Sequence, residues 1–269
     1  HIVLLATEYR SSLSLFNFSF GDSAYSLSSI ASLLLAATMI SLIRKWLDIR
    51  NWEGIADSIY VAHRENPKID TRKGLGSTLA SLVVISGGGS VGQYGPLVHF
   101  GSTIGLFIKN SFKLQMNADI FIGCGVAAAI SAGFNAPLAG IIFAHEAILR
   151  HFSLRAIAPI SVASFSASAF GGYLFGNSPV LFDLTQHVPP LNEILPILIL
   201  LGPIFAIITV CFMYALRTTN RFAARHERYK IFLPFIAALV CGCVGVFLPE
   251  ILGLGIGAIN DLIAGNISF

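Results

Sequence analysis

The sequence predicts an all-α integral membrane protein in which some helices are broken at membrane depth. Hydrophobic residues make up 55% of the 269 residues and charged residues 12%, whereas a soluble domain usually carries about 25% charged residues. Six runs contain no charged side chain, and most have the roughly 20 apolar residues that one crossing of the hydrocarbon requires. The runs are Ser23–Ile43, Gly74–Ile108, Ile120–Ala144, Ala156–Phe182, Ile194–Leu216 and Ile231–Pro249.

The first 22 residues are predicted to be the end of an earlier helix followed by an outer loop. The apolar part of HIVLLATEYR is too short for the core of a signal peptide, and it fits the end of a helix better. The run that begins at Ser23 then has the length of one transmembrane pass.

The second run contains SVGQYGPLVHFG, in which glycine and proline interrupt an apolar helix. Proline fits the first turn of a helix, so GQYGP is predicted to be a loop and the stretch from Pro96 a helix that starts within the membrane. The N–H groups at such a start are free and carry a partial positive charge, so they can bind an anion without Lys or Arg. A Gly/Pro kink in an ordinary packed helix stays open as the alternative. The candidate anion-binding residues are Gly92, Gln93, Tyr94, Gly95, Pro96 and Leu97.

A second break of the same kind is predicted in SAGFNAPLAGIIFAHEAILR. Residues 133–137, GFNAP, read as a turn with proline in the first turn of the following helix. Alanine and glycine are frequent on both sides of this turn, and such small residues let helices approach closely in lipid.

The basic residues predict the orientation of the chain in the bilayer. Lys and Arg cluster in the segments 44–73, 150–155 and 217–230, whereas the segment 173–193 and the region around 249 contain none. The positive-inside rule puts the basic segments in the cytoplasm and the other two outside. No aromatic-interleaved basic face accompanies the basic segments, so nucleic-acid binding is not predicted.

Isolated polar groups in the apolar runs are predicted to be structural. His99 is expected to be a hydrogen-bonded packing residue, with pH sensing near the anion site as the alternative. Glu146 is costly on an apolar helix unless it is paired, and we expect an interior hydrogen bond to backbone N–H groups. His145, Glu146 and His151 lack the His-Glu-x-x-His spacing, so no metal site is predicted. The four cysteines are expected to act as small hydrophobes, and no nucleophile–base pair points to an enzyme.

Three motifs together resemble the CLC family of chloride channels and chloride/proton antiporters. AGFNAPLAGIIF is similar to the family's AAFNAPLAGILF, and GQYGP stands in the place of its GREGP motif. Counted back without a gap, WEGIA (Trp52–Ala56) falls where the family has GSGIP. The resemblance runs from about residue 25 to the end of the chain.

The resemblance implies a CLC-type inverted-repeat helical fold with broken and tilted helices, present here as the first half plus the start of the second. It implies one transmembrane domain over residues 1–269, with a first repeat core at 23–172 and the start of a second repeat at 190–269. It also implies a homodimer in the lipid bilayer with one anion pathway per subunit, bound chloride and no cofactor. The family's later GxFxP motif and pore tyrosine have no match in this chain.

Two departures from the family concern the coupling acids. The gating glutamate of GREGP corresponds to Tyr94, which is uncharged at neutral pH and cannot mimic an anion. The inner proton-transfer glutamate of the antiporters falls at the former proton-relay position Ala147, beside Glu146. A tyrosine at the gate position could still block the outer pathway or donate its hydroxyl to a passing anion.

The third departure concerns the inner anion site, which the resemblance assigns to Glu53, Gly54 and Ile55. The serine of GSGIP falls at Glu53, and a carboxylate there repels chloride unless it is protonated or turned away. Two interpretations stay open. Glu53 is a buried neutral acid that donates a hydrogen bond, or a shift of a residue or two makes it a solvated acid in the cytoplasm.

The resulting prediction is chloride conduction through a CLC-type pathway that is not proton-coupled. One alternative is a chloride/proton antiporter that uses substitute acids. The other is a non-conducting homologue that acts as a membrane scaffold.

Overall fold

A short antiparallel β-hairpin precedes the described helices. The computed structural model describes residues 17–20, 23–26, 28–49, 51–64, 69–92, 94–175, 190–225 and 231–263. Within these ranges β1 (Asn17–Phe20) pairs with β2 (Ser23–Ser26), and Asn17 lies opposite Ser26. The sequence did not predict these strands. The expected end of an earlier helix lies outside the described residues, as do the first 16 residues as a whole.

The other regular elements of the described ranges are helical. In chain order they are α1 (Ser28–Trp46), α2 (Ile55–Ala62), α3 (Thr71–Ser86), α4 (Tyr94–Ser111), α5 (Ala118–Phe134), α6 (Pro137–Phe143), a π-helical turn (Ala144–Leu149), α7 (Leu154–Phe175), α8 (Leu191–Arg225), α9 (Leu233–Phe247), a 3-10 turn (Pro249–Ile251) and α10 (Ile256–Ile263).

In the part of the chain that the structure describes, three helices are long and apolar enough to cross a membrane. They are α1, most of α7 (Leu154–Leu174) and most of α8 (Asn192–Arg225). Each overlaps one of the charge-free runs. The described part of α8 buries almost none of its side chains inside the chain, which is the pattern of a helix whose surroundings lie outside this polypeptide.

The run Gly74–Ile108 forms two helices with a break between them, as predicted. Helix α3 ends at Ser86, and Gly88 follows with φ +97°, a conformation that favours glycine. Helix α4 begins at Tyr94, two residues before the predicted start at Pro96. The prediction of the helix start was wrong because a proline fits any first-turn position, where an N–H group needs no intrahelical partner.

The second predicted break is also present, but it is shorter than expected. Helix α5 continues through Phe134, and Asn135 ends it in the left-handed conformation with φ +52°. Pro137 is the first residue of α6, as expected for proline at a helix start. The turn therefore consists of Asn135 and Ala136 alone.

The main core lies where α4, α5, the π-helical turn and α7 meet. Its largest fully buried apolar side chains include Ile122, Val126, Ile148 and Ile160, each with no exposed surface. Helices α4 and α5 cross with their backbones almost touching. A Cβ atom added at Gly125 would lie 1.9 Å from the carbonyl oxygen of Gly101, so only glycine fits there. Small residues thus set the position of α4, and with it the position of the GQYGP segment.

We expect Asp70→Ala to lower the stability of the protein by about 1 kcal/mol, the usual value of a helix cap. Asp70 caps α3 by accepting a hydrogen bond from the backbone N–H of Arg72 at 3.0 Å. Asn117 precedes α5 in the same position but makes no cap hydrogen bond with its side chain, so Asn117→Ala is the matched control. The unfolding temperature of both variants is measured in detergent. Equal midpoints for Asp70→Ala and Asn117→Ala would contradict the assignment of the cap.

Candidate functional site

Tyr94, which the sequence predicts to stand at the gate position, contacts both motifs that break the helices. It is the first residue of α4, and its ring stacks on that of Phe134 at the end of α5, with centroids 3.8 Å apart and planes 17° apart. A Cβ atom added at Gly133 would lie 3.1 Å from Cε1 of Tyr94. The absence of a side chain at Gly133 therefore gives the tyrosine ring its place beside the break between α5 and α6.

The backbone around the start of α4 is open on one side. A Cβ atom added at Gly92 would meet nothing within 4 Å, and one at Gly95 would meet only the side chain of Ile55, at 3.8 Å. Gly95, Pro96 and Leu97 are half-buried, and Gly92 is exposed. Gln93 lies outside the described residues. Because first-turn N–H groups have no intrahelical partner and Pro96 has no N–H, this start offers the N–H groups of Tyr94 and Gly95 as free donors.

The start of α2 lies against the start of α4. Ile55, the first residue of α2, is the nearest neighbour of Gly95 across this gap. Two backbone donors of the predicted inner site already have acceptors within the protein. The N–H of Gly54 donates to Oδ2 of Asp57 at 2.8 Å, and the N–H of Glu53 donates to Oγ of Ser77 at 3.1 Å.

The carboxylate of Glu53 has two basic neighbours. Its Oε1 lies 3.3 Å from Nζ of Lys73, and its Oε2 lies 3.4 Å from Nε2 of His99. The side chain is 20% exposed. Glu53 is thus neither the isolated buried acid nor the fully solvated acid that the sequence left open, because it lies at the edge of the interior in contact with Lys73.

His99 is fully buried and hydrogen-bonded, as expected of a packing residue. Its Nδ1 lies 2.7 Å from Oγ of Ser58 on α2, and that oxygen lies 2.7 Å from Oγ of Ser102 on α4. The serines were not predicted to belong to the site. Ser102 follows His99 by three residues, a spacing that puts both on one face of a helix. That spacing is the signal in the sequence that could have revealed Ser102, whereas Ser58 lies on another helix, 41 residues before His99.

The two residues predicted to mark the former proton-relay position lie in the π-helical turn. Ala147 is half-buried and carries no ionisable group, and Glu146 is exposed. The interior hydrogen bond expected for Glu146 is not found among the described residues. The buried polar residue of this turn is His145, whose Nδ1 lies 3.3 Å from the carbonyl oxygen of His151 and whose ring stacks on Phe152.

Within the described ranges, His, Cys, Asp and Glu side chains do not gather in groups of three or more that could hold a metal ion. The arrangement at the starts of α2 and α4 is made of backbone donors, hydroxyls, the phenol of Tyr94, the imidazole of His99 and the carboxylates of Glu53 and Asp57, with Lys73 beside Glu53. Such groups can bind and release a small anion, and they can exchange protons.

Residues 33–269 match the family described as voltage gated chloride channel. The chain is 28% identical over 187 residues to the H(+)/Cl(-) exchange transporter ClcA of Vibrio parahaemolyticus serotype O3:K6, an alignment that covers 66% of this chain and 40% of that protein. It is 28% identical over 251 residues to the protein of the same name from Citrobacter koseri, covering 90% of this chain and 53% of that one.

The fold resembles the crystal structure of a CLC-type fluoride/proton antiporter, with a TM-score of 0.79 and 24% sequence identity. The superposition covers 100% of this chain and 65% of that chain. The predicted all-α membrane fold with broken helices is thereby confirmed. The chain spans about half the length of the two exchange transporters, which align over 40% and 53% of their residues.

Proposed function

The chain belongs to the voltage-gated chloride channel family, and from that premise we propose that the whole protein conducts chloride or a similar small anion across a membrane. We propose further that this anion movement is not coupled to proton movement through the family's two glutamates. The first glutamate position holds Tyr94 and the second holds Ala147. We also propose that it works as a homodimer, with the segments 44–73, 150–155 and 217–230 in the cytoplasm.

The observation that carries this proposal is the open start of α4. Gly92 and Gly95 leave room beside the backbone, and the first turn of α4 supplies N–H donors with the positive end of the helix dipole. A carboxylate at the first residue would compete with an anion for these donors. A tyrosine does not compete, because a phenol is uncharged at neutral pH.

The absence of an ionisable group at Ala147 supports conduction without proton coupling. Proton transfer through a protein interior requires side chains that bind and release protons, and alanine does neither. The bacterial relatives are named H(+)/Cl(-) exchange transporters, so simultaneous measurement of chloride and proton movement is the direct comparison. Chloride-driven proton pumping at a fixed stoichiometry would overturn this part of the proposal.

The packing of Tyr94 predicts that its ring restricts the pathway. In proteoliposomes made with the full-length protein, we expect Tyr94→Ala to raise chloride efflux about tenfold, which corresponds to a barrier lower by about 1.4 kcal/mol. Tyr94→Phe keeps the stacking on Phe134 and should retain the wild-type rate, so it is the matched control. Wild-type efflux no greater than that of empty vesicles, from a folded dimer, would count against conduction.

A non-conducting membrane scaffold is the second candidate, and one observation favours it. The N–H groups of Glu53 and Gly54 are already bonded to Ser77 and Asp57, so these two donors are not free for chloride. A scaffold would show no efflux in the wild type or in Tyr94→Ala. The two candidates are therefore separated by the same flux measurement.

A further inference from the structure

A row of polar side chains runs from the edge of the protein into its interior between α2 and α4. Lys73 and Glu53 are partly exposed, at 38% and 20%, and His99, Ser58 and Ser102 follow, each with no exposed surface. Consecutive members lie within 3.4 Å of one another. The row therefore connects solvent beside the start of α3 with a buried imidazole.

The hydrogen bonds in this row can run in two directions. The hydroxyl of Ser102 has two backbone acceptors, the carbonyl oxygens of Val98 at 2.9 Å and of His99 at 3.0 Å. When Ser102 donates to either of them, its oxygen accepts from Ser58, the oxygen of Ser58 accepts from Nδ1 of His99, and Nε2 presents a lone pair. When Ser102 donates to Ser58 instead, Ser58 donates to Nδ1, and the neutral imidazole carries its proton on Nε2.

Nε2 of His99 faces a carboxylate. It is buried and has no hydrogen-bond partner among the described residues, and Oε2 of Glu53 lies 3.4 Å from it. In the first arrangement two unprotonated acceptors repel each other at this distance, and a buried acceptor without a donor is costly. One added proton turns either arrangement into an imidazolium that donates from Nδ1 to Ser58 and from Nε2 towards the carboxylate of Glu53.

We propose that Glu53 and His99 bind one proton between them, and that this proton site makes anion passage depend on pH at the side where Glu53 meets solvent. Without the proton the pair carries a net negative charge beside the starts of α2 and α4, which repels an anion. With the proton the pair is neutral overall, and the repulsion is removed. The effect on anion flux rests on the proposed conduction, whereas proton binding by the pair does not.

Other charged and titratable groups surround the pair, and they set its proton affinity without replacing it. Lys73 contacts Glu53, and Asp70 lies 3.9 Å from Lys73. The remaining described groups on or next to the elements packed around His99 are Asp57 and Tyr60 on α2, His63 just after α2, Arg72 on α3, and Asp119 and Cys124 on α5.

Substitutions of Glu53 and of His99 are expected to have opposite effects on chloride flux. In full-length protein in proteoliposomes, wild-type chloride flux should rise about tenfold as the pH on the Glu53 side falls from 8 to 5, the range in which histidine titrates. Glu53→Gln removes the charge, so its flux should be high and nearly independent of pH. His99→Gln keeps the carboxylate but loses the proton acceptor, so its flux should stay low across the same range.

His63→Gln is the matched control. His63 is an exposed histidine just after α2 whose Nδ1 bonds the carbonyl oxygen of Ile59, so its loss should leave the wild-type pH profile intact. A wild-type profile in folded His99→Gln, or a profile in Glu53→Gln as steep as that of the wild type, would overturn the proposal.

Proton binding can also be measured without flux. In full-length protein labelled with ¹⁵N-histidine, the signal of His99 should titrate, and Glu53→Gln should move that titration to lower pH because the carboxylate no longer stabilises the imidazolium. This measurement also serves if His99→Gln fails to fold. If the pair titrates in a protein that conducts no chloride, the proton site stands and the proposed conduction is refuted. Identical ¹⁵N titrations in the wild type and Glu53→Gln would refute the proton site.

Discussion

Gly125→Ala is expected to abolish the accumulation of correctly folded protein. A Cβ atom at this position would lie 1.9 Å from the carbonyl oxygen of Gly101 and 2.5 Å from its carbonyl carbon. Neither atom belongs to a flexible side chain, so α4 and α5 would have to move apart. Overpacking of a core typically costs about 1–3 kcal/mol, and we expect the upper end of that range. Size-exclusion chromatography of a fluorescent fusion in detergent would measure the loss.

Gly202→Ala is the matched control for this substitution. Gly202 lies in α8, and a Cβ atom added there would meet nothing within 4 Å. Alanine is favoured over glycine in a helix by about 1 kcal/mol, so this variant should be as stable as the wild type or slightly more so. A sharp monomeric or dimeric peak of normal yield for Gly125→Ala would mean that the close crossing of α4 and α5 is not needed for folding.

The breaks between helices could be predicted from the sequence because their cause is local. Proline at position 137 starts a helix, and Asn135 ends one, whatever surrounds them. Small residues in the sequence indicated close helix crossings such as that of α4 and α5, as expected for helices in lipid. The start of α4 at Tyr94 was predicted two residues too late, since proline tolerates several positions of a first turn.

The contacts of the candidate site could not be predicted, because they depend on how separate segments are placed in space. Glu53, Lys73 and His99 belong to three segments that are about 20 residues or more apart, and nothing in their spacing shows that they meet. The motif comparison aligned Glu53 with a chloride-binding serine, but it could not show that the carboxylate turns towards Lys73 and His99. The exposure of Glu146 likewise depends on which face of the π-helical turn is covered by α2 and α5.

Tyr94→Glu is expected to reduce chloride flux about tenfold at neutral pH. A carboxylate at the first residue of α4 would lie beside the free N–H groups and the positive end of the helix, which stabilise a negative charge. It would compete with chloride for those donors, and protonation at low pH would end the competition. Flux should therefore recover as the pH falls through the usual range of a glutamate, near 4.

Two controls isolate the effect of this charge. Glutamine has a shape similar to that of glutamate but no charge, so Tyr94→Gln should show no loss of chloride flux at neutral pH. A Glu53→Gln background removes the pH dependence proposed for the Glu53–His99 pair, so that any remaining dependence belongs to position 94. Because Ala147 offers no proton acceptor, Tyr94→Glu should gain pH dependence without gaining proton pumping. If an acid elsewhere already couples protons to chloride, the substitution will change the pH dependence little, and the wild type will pump protons.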